Sequence, residues 1–175
     1  MSKTQLKKTL QQMSSEQISE LVIELYDARS EAKEYLEFFL NPDLDTKLEK
    51  VRAAIKKEVN RQSRGRNRAR ATRLRRFIKD FSSFNPGAEP IADVMTYTME
   101  QVCKTANDQM FKTSTQMSLV RLLHDTVLKI SDAGMLDHYL PRLQKAIDDM
   151  ESHWYRSNEF KKALKSELQD TLEVL

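Results

Sequence analysis

Eight arginines fall within the sixteen positions of RQSRGRNRARATRLRR, residues 61–76: Arg61, Arg64, Arg66, Arg68, Arg70, Arg73, Arg75 and Arg76. No acidic residue stands between Glu58 and Asp80. A guanidinium stays charged under all ordinary conditions and presents a planar fork of donors matched to phosphate and carboxylate oxygens. These eight residues are therefore the candidate anion or nucleic-acid contacts of the chain. Four readings compete. The run is the solvated face of a linker that becomes a helix, with Arg64, Arg66 and Arg68 in an arm and Arg73, Arg75 and Arg76 on an outer face. It is an arm that orders on nucleic acid, although no Tyr or Trp is interleaved for base stacking. It lies on a membrane surface above Phe77, Ile78, Phe81 and Phe84, which a core also claims. Or it docks on an acidic surface, that of a protein partner or the chain's own around Asp148, Asp149 and Glu151.

The other chemistry-bearing residues form no comparable set. His124, His138 and His153 are far apart and match no two-histidine metal or nucleophile motif. Asp149 and His153 stand one helical turn apart, which permits a shared ion only if a third ligand arrives; a surface i, i+4 pair beside Trp154 is the simpler reading. The single Cys103 falls on a helix face that should be buried, where a thiol packs as a small hydrophobe. Three scattered glycines, at 65, 87 and 134, cannot build a phosphate-cradling loop. Glu24, Asp27, Glu31, Glu34 and Glu37 are interleaved with Arg29 and Lys33 and read as a solvated, internally paired face. The expectation is a chain without a catalytic site, metal site or cofactor.

The elements that must carry the arginines are helices. Lys, Glu, Leu, Gln and Arg dominate, and only three glycines and four prolines punctuate 175 residues. Leu, Ile, Val and Phe number 42, about a quarter of the chain, enough for a core. Residues 61–79 carry +9 of charge within a net +3, so the rest of the chain carries −6. The lone cysteine and the absence of an apolar leader or an 18-residue apolar run predict a cytoplasmic protein with no membrane span.

Apolar spacing sets the helices. Leu6, Leu10 and Met13 predict a short first one. Ser14 and Gln17 form a capping box, with Met13 and Ile18 as its staple, so a second helix starts at Ser15 and breaks near Ser30. Asn41-Pro42 ends the following segment, and Asp45 caps a helix with the stripe Leu48, Val51, Ile55 and Val59. The pattern lapses around Gly65 and returns as Leu74, Ile78 and Phe81, making the second half of the arginine run helical. FNPGAEP is a loop, and Pro90 suits the first turn of a helix whose wide apolar arc over residues 91–106 predicts burial on several sides. Thr113 and Gln116 predict another capping box ahead of Met117, Val120, Leu123, Val127 and Ile130, and Gly134 a stop. Pro141 should open a helix bearing Leu143, Ile147, Met150 and Trp154. Phe160, Leu164, Leu168, Leu172 and Leu175 follow a break at Ser157-Asn158.

The pattern LKKTLQQMSSEQISELVIELYDARSEAKEYLEFFLNP, followed by RFIKDFSSFNPGAEPIADVMTYTMEQV, resembles an uncharacterised bacterial family, the domain of unknown function numbered six one five five. The resemblance covers most of the first 110 residues and consists of helical packing patterns rather than catalytic signatures. It implies the fold class and no activity, cofactor or partner, and the eight arginines look like an elaboration on it.

The reading is an all-α protein, a compact bundle of roughly eight or nine amphipathic helices forming a single domain over 1–175, with a basic mobile connector near 61–70. Its expected role is that of a non-catalytic binding or adaptor module. The alternative is a nucleic-acid-binding protein that uses residues 61–76.

Overall fold

The apolar stripes become helices, and from residue 44 onward those stripes supply most of the buried core. The computed structural model describes residues 1–151 and 155–175. Among them, nine helices run in chain order: α1 (Lys3–Gln11), α2 (Ser15–Ala28), α3 (Ser30–Leu40), α4 (Leu44–Val59), α5 (Ala71–Ser82), α6 (Ala88–Asp108), α7 (Thr113–Asp132), α8 (Leu136–Asp148) and α9 (Tyr155–Val174). A two-stranded antiparallel hairpin, β1 (Gln62–Ser63) and β2 (Arg66–Asn67), joins α4 to α5. The chain divides into two compact units, Met1–Asp43 and Leu44–Leu175. No helix among the described residues is long and apolar enough to cross a membrane.

The first unit is built on capping. Ser14 Oγ accepts the Gln17 backbone N–H at 3.2 Å while Gln17 Oε1 accepts that of Ser14 at 2.9 Å, so two otherwise orphaned amides are satisfied where the spacing predicted. The same exchange joins Ser2 and Gln5 at the start of α1, a capping box missed because so short a helix has little periodicity to draw attention to its start. The α2–α3 hairpin turns at Arg29, and the Tyr26 hydroxyl donates to Glu37 Oε1 across it at 2.9 Å. None of α1–α3 holds a buried residue.

In the second unit α6 is the central element, packed against α4, α5, α7 and α8. Its wide apolar arc is the cause. Ala92, Val94, Thr96, Thr98, Met99, Val102 and Cys103 are all buried. Val51, Ile55 and Val59 reach it from α4, Leu74, Ile78 and Phe81 from α5, and Leu143 and Ile147 from α8 lie in the same core. Leu119, Leu123, Val127 and Ile130 of α7 and Phe160, Leu164 and Leu168 of α9 extend this core. Gly134 takes the left-handed conformation at φ 67° beyond α7, and the Met135 N–H reaches back to Ile130 O at 3.0 Å. That 6→1 bond is the Schellman termination expected of a glycine there.

Five local expectations are corrected. Helix α4 begins at Leu44, so Asp45 sits inside the first turn rather than at the cap. Thr113 and Gln116 form no capping box, because α7 starts with Lys112 as its N-cap and the Gln116 amide donates to Phe111 O at 3.1 Å. Met117 is exposed, and Leu119 and Leu122 take the buried face instead. Pro141 does not open a helix: the glycine stop after α7 leaves room for α8 to begin at Leu136, and Pro141 lies inside it, on its exposed side. Helix α9 runs through Ser157-Asn158 from Tyr155 without a break. Trp154 and the Asp149–His153 pairing lie outside the described residues.

Candidate functional site

The arginine run meets the fold at the hairpin and the start of α5. Arg64 and Gly65 form the two-residue loop between β1 and β2, with φ 52° and 69°. Both are left-handed, as a type I′ turn requires. Ser63 pairs with Arg66 and Gln62 with Asn67, and the Arg68 N–H extends the ladder to Arg61 O at 2.7 Å. Side chains alternate along a strand. Arg61, Ser63, Arg66 and Arg68 therefore share one face of the hairpin, and Gln62 and Asn67 share the other.

Asn67 anchors that second face. It is 6% exposed, its amide donates to Val59 O and to Gln109 Oε1 at 2.9 Å each, and its Oδ1 accepts the Ala69 N–H at 2.8 Å. The sequence offers no apolar anchor between Gln62 and Arg68, and the fold supplies a polar one.

The eight arginines separate into two groups. Four are committed within the chain. Arg61 and Arg73 flank the buried Glu58 carboxylate at 3.9 and 3.6 Å. Arg75 pairs with Asp125 of α7 and donates to Ser118 O at 3.3 Å. Arg76 pairs with Asp80 one turn on, at 3.5 Å. The partners are thus Glu58, Asp80 and Asp125, while Asp148 takes Lys165 instead. The side chains of Arg64, Arg66, Arg68 and Arg70 have no hydrogen-bond or ion-pair partner among the described residues. Phe81 and Ile78 are buried, and Phe77 and Phe84 half-buried, so the apolar side beneath the basic face belongs to the core.

A cavity of about 520 Å³ opens where the hairpin meets the N-termini of α5 and α7. Arg61, Arg68, Arg70 and Lys112 line it, with hydroxyls from Thr72 and Thr115 among the rest. Arg70 and Lys112 are also the N-caps of α5 and α7, and neither helix has a side-chain cap. Arg61 Nη1 is shielded from solvent and makes no hydrogen bond.

A second polar cluster binds helices rather than ligand. Arg142 of α8 grips Glu100 of α6 through two bonds of 2.8 and 3.0 Å and reaches Asp93 Oδ1 at 2.8 Å. Arg52 of α4 holds the other oxygen of Asp93. Burial pushes the Asp93 carboxyl up, but the hydrogen bonds and charges of Arg142 and Arg52 outweigh it and hold the group below the usual carboxylate range. Its bonded pairs join residues 41 to 49 positions apart in sequence, so no local spacing announces it. Elsewhere, His124 Nδ1 lies 2.9 Å from Thr171 Oγ1 and 3.0 Å from Glu167 Oε1, tying α7 to α9. Burial, helped by nearby Glu100, pushes the Cys103 thiol up to about 12, which makes it inert as a nucleophile. No three His, Cys, Asp or Glu residues among those described come together in a way that could hold a metal ion.

Compared with known proteins, residues 1–167 match the model of a family described as a family of unknown function, DUF6155. No curated protein and no solved structure gives a match.

Proposed function

The chain belongs to DUF6155, a family of unknown function, and from this member's own geometry we propose that it is a non-catalytic binding module that docks an anionic partner on its basic hairpin. One observation carries the reading: half of a dense arginine run is consumed by intrachain acids, and the other half, Arg64, Arg66, Arg68 and Arg70, is left without a partner among the described residues. Arginines that only solubilise a surface need no particular backbone. Arg64, in contrast, occupies a left-handed turn position at φ 52° that Asn or Gly would hold with less strain. Placing a charge at that cost favours a role for it.

The remaining polar groups support the absence of catalysis in this reading. Asp93, Glu100 and Arg142 are spent on one another, and the Cys103 thiol stays protonated. A single unpaired cysteine suits a reducing compartment, and we place the protein in the cytoplasm. The test is fluorescence anisotropy with labelled single-stranded RNA and with labelled polyglutamate, each at two salt concentrations. Binding of either that weakens steeply with salt is the expected result. No binding of either probe at low salt contradicts the proposal.

A further inference from the structure

We infer that the cavity between the hairpin and the starts of α5 and α7 seats one phosphate group of a nucleic-acid strand, which is held by its phosphates and not by its bases. The inference rests on the anionic-partner reading and names that partner's chemistry. Cations arrive at the cavity from the end of α4, the end of the hairpin and two helix caps, as Arg61, Arg68, Arg70 and Lys112. Arg68, Arg70 and Lys112 have no side-chain partner among the described residues, and Glu58 offsets only the Arg61–Arg73 pair beneath them. The buried Arg61 Nη1 lies 3.9 Å from the nearest Glu58 oxygen and lacks an acceptor. The Arg61 side chain as a whole is 40% exposed and lines the cavity, where it adds its charge to those of Arg68, Arg70 and Lys112.

Helix electrostatics point the same way. Helices α4, α6 and α8 carry Asp45, Glu89 and Asp137 in their first turns, as the positive end of a helix favours. Helices α5 and α7 carry no acid there and put Arg70 and Lys112 at their caps. At α5 the Glu58 carboxylate accepts the Arg70 N–H and offsets part of the cap's charge, whereas α7 carries no acid in its first turn, and a bound anion would be attracted by both helix ends.

The choice of nucleic acid over a phosphorylated protein comes from the hairpin. Arg66 shares the cavity face with Arg61, Ser63 and Arg68 by strand alternation, and Arg64 stands at the tip beside it. A single phosphorylated side chain would sit in the cavity and leave both unpaired. A polymer with a phosphate on every residue meets them as well. No aromatic residue lies within 61–76, so the grip carries no base stacking and no sequence preference.

Two double variants of the full chain test this. Arg68→Gln with Lys112→Gln empties the cavity of two charges, and Arg64→Gln with Arg66→Gln removes those at the tip. Inorganic phosphate is titrated at constant ionic strength and followed by the amide NMR shifts of Ala71, Thr72, Thr113 and Ser114. Saturable shifts are expected, weakened by at least about tenfold in the cavity variant and by less than about twofold in the tip variant. An RNA oligonucleotide should be weakened by both, with the tip variant lowering the salt slope by roughly 0.7 for each phosphate it no longer neutralises. Phosphate that fails to saturate, or that weakens equally in both variants, overturns the seat. If RNA or polyglutamate still binds in that case and needs Arg64 and Arg66, the anionic-partner reading stands while the seat falls. A phosphoserine peptide that binds more tightly than RNA and ignores the tip variant overturns the choice of nucleic acid.

Discussion

The Glu58 carboxylate, on a residue only 4% exposed, accepts the backbone N–H of Arg70 at 3.0 Å. This bond ties the last turn of α4 to the residue that caps α5, across the whole hairpin. It also places the flanking Arg61 and Arg73 against a single acid. One carboxylate therefore commits two of the arginines to the fold, and Asp125 and Asp80 commit two more.

Replacing Glu58 follows from this arrangement. Glu58→Ala leaves the Arg70 N–H without its acceptor and two guanidiniums without an acid, and should destabilise the fold by about 2 kcal/mol. The arginines are 40% and 52% exposed in their side chains, which keeps the loss below that of a fully buried pair. Glu58→Gln retains an acceptor for Arg70 and should lose less. Urea unfolding of both variants checks the order, and equal losses would show that the amide bond contributes nothing.

The hairpin tip makes an opposite prediction. Arg64→Asn puts a residue tolerant of the left-handed region before Gly65 and should raise stability by about 0.5–1 kcal/mol. The same change should weaken binding of an anionic partner. Thermal melts and an RNA titration on one variant read both effects, and a fall in melting temperature would contradict the strained-turn account.

Asp93 predicts the acid limb of the stability curve. Its folded pKa is depressed by Arg142 and Arg52 in spite of burial, so folding is favoured while the group is ionised. That contribution is present above the unfolded value of about 4 and disappears as pH falls through the lower folded value. Asp93→Asn should therefore be less stable than the parent at neutral pH, with the difference shrinking at pH well below about 4, on the scale of the unfolded carboxyl. A difference independent of pH would mean that the guanidinium pairing does not act through charge.

In the first unit, Ser14→Ala removes one half of the capping box with Gln17. About 1 kcal/mol of helix stability should be lost. Circular dichroism during heating reports it, and an unchanged melt would show that α2 does not depend on its cap.

The sequence was legible wherever one residue type at a regular spacing does the structural work. Val51, Ile55 and Val59, and Leu74, Ile78 and Phe81, face the core, and Ser14 with Gln17 starts a helix as Gly134 stops one. The hairpin was not legible. Its turn is Arg64-Gly65 rather than Asn-Gly, and its anchor is the buried amide of Asn67, which meets Val59 and Gln109 only after folding. Thr113 and Gln116 had the right spacing, but Phe111 O drew the Gln116 amide away. The eight arginines look alike in sequence because their sorting depends on acids such as Asp125, 50 positions from Arg75. The cavity joins residues 61–72 to residues 112–118, a juxtaposition that no local pattern encodes.

The most direct measurement combines stability and binding on one protein, the quadruple variant Arg64→Gln, Arg66→Gln, Arg68→Gln and Arg70→Gln, compared with Arg61→Gln, Arg73→Gln and Arg75→Gln. The first variant should keep its melting temperature to within about 2 °C and lose binding to RNA and to polyglutamate, whereas the second should melt several degrees lower, about 4 °C or more. A quadruple variant that unfolds, or that binds both probes as the parent does, would contradict the division of the arginines into structural and ligand-facing halves.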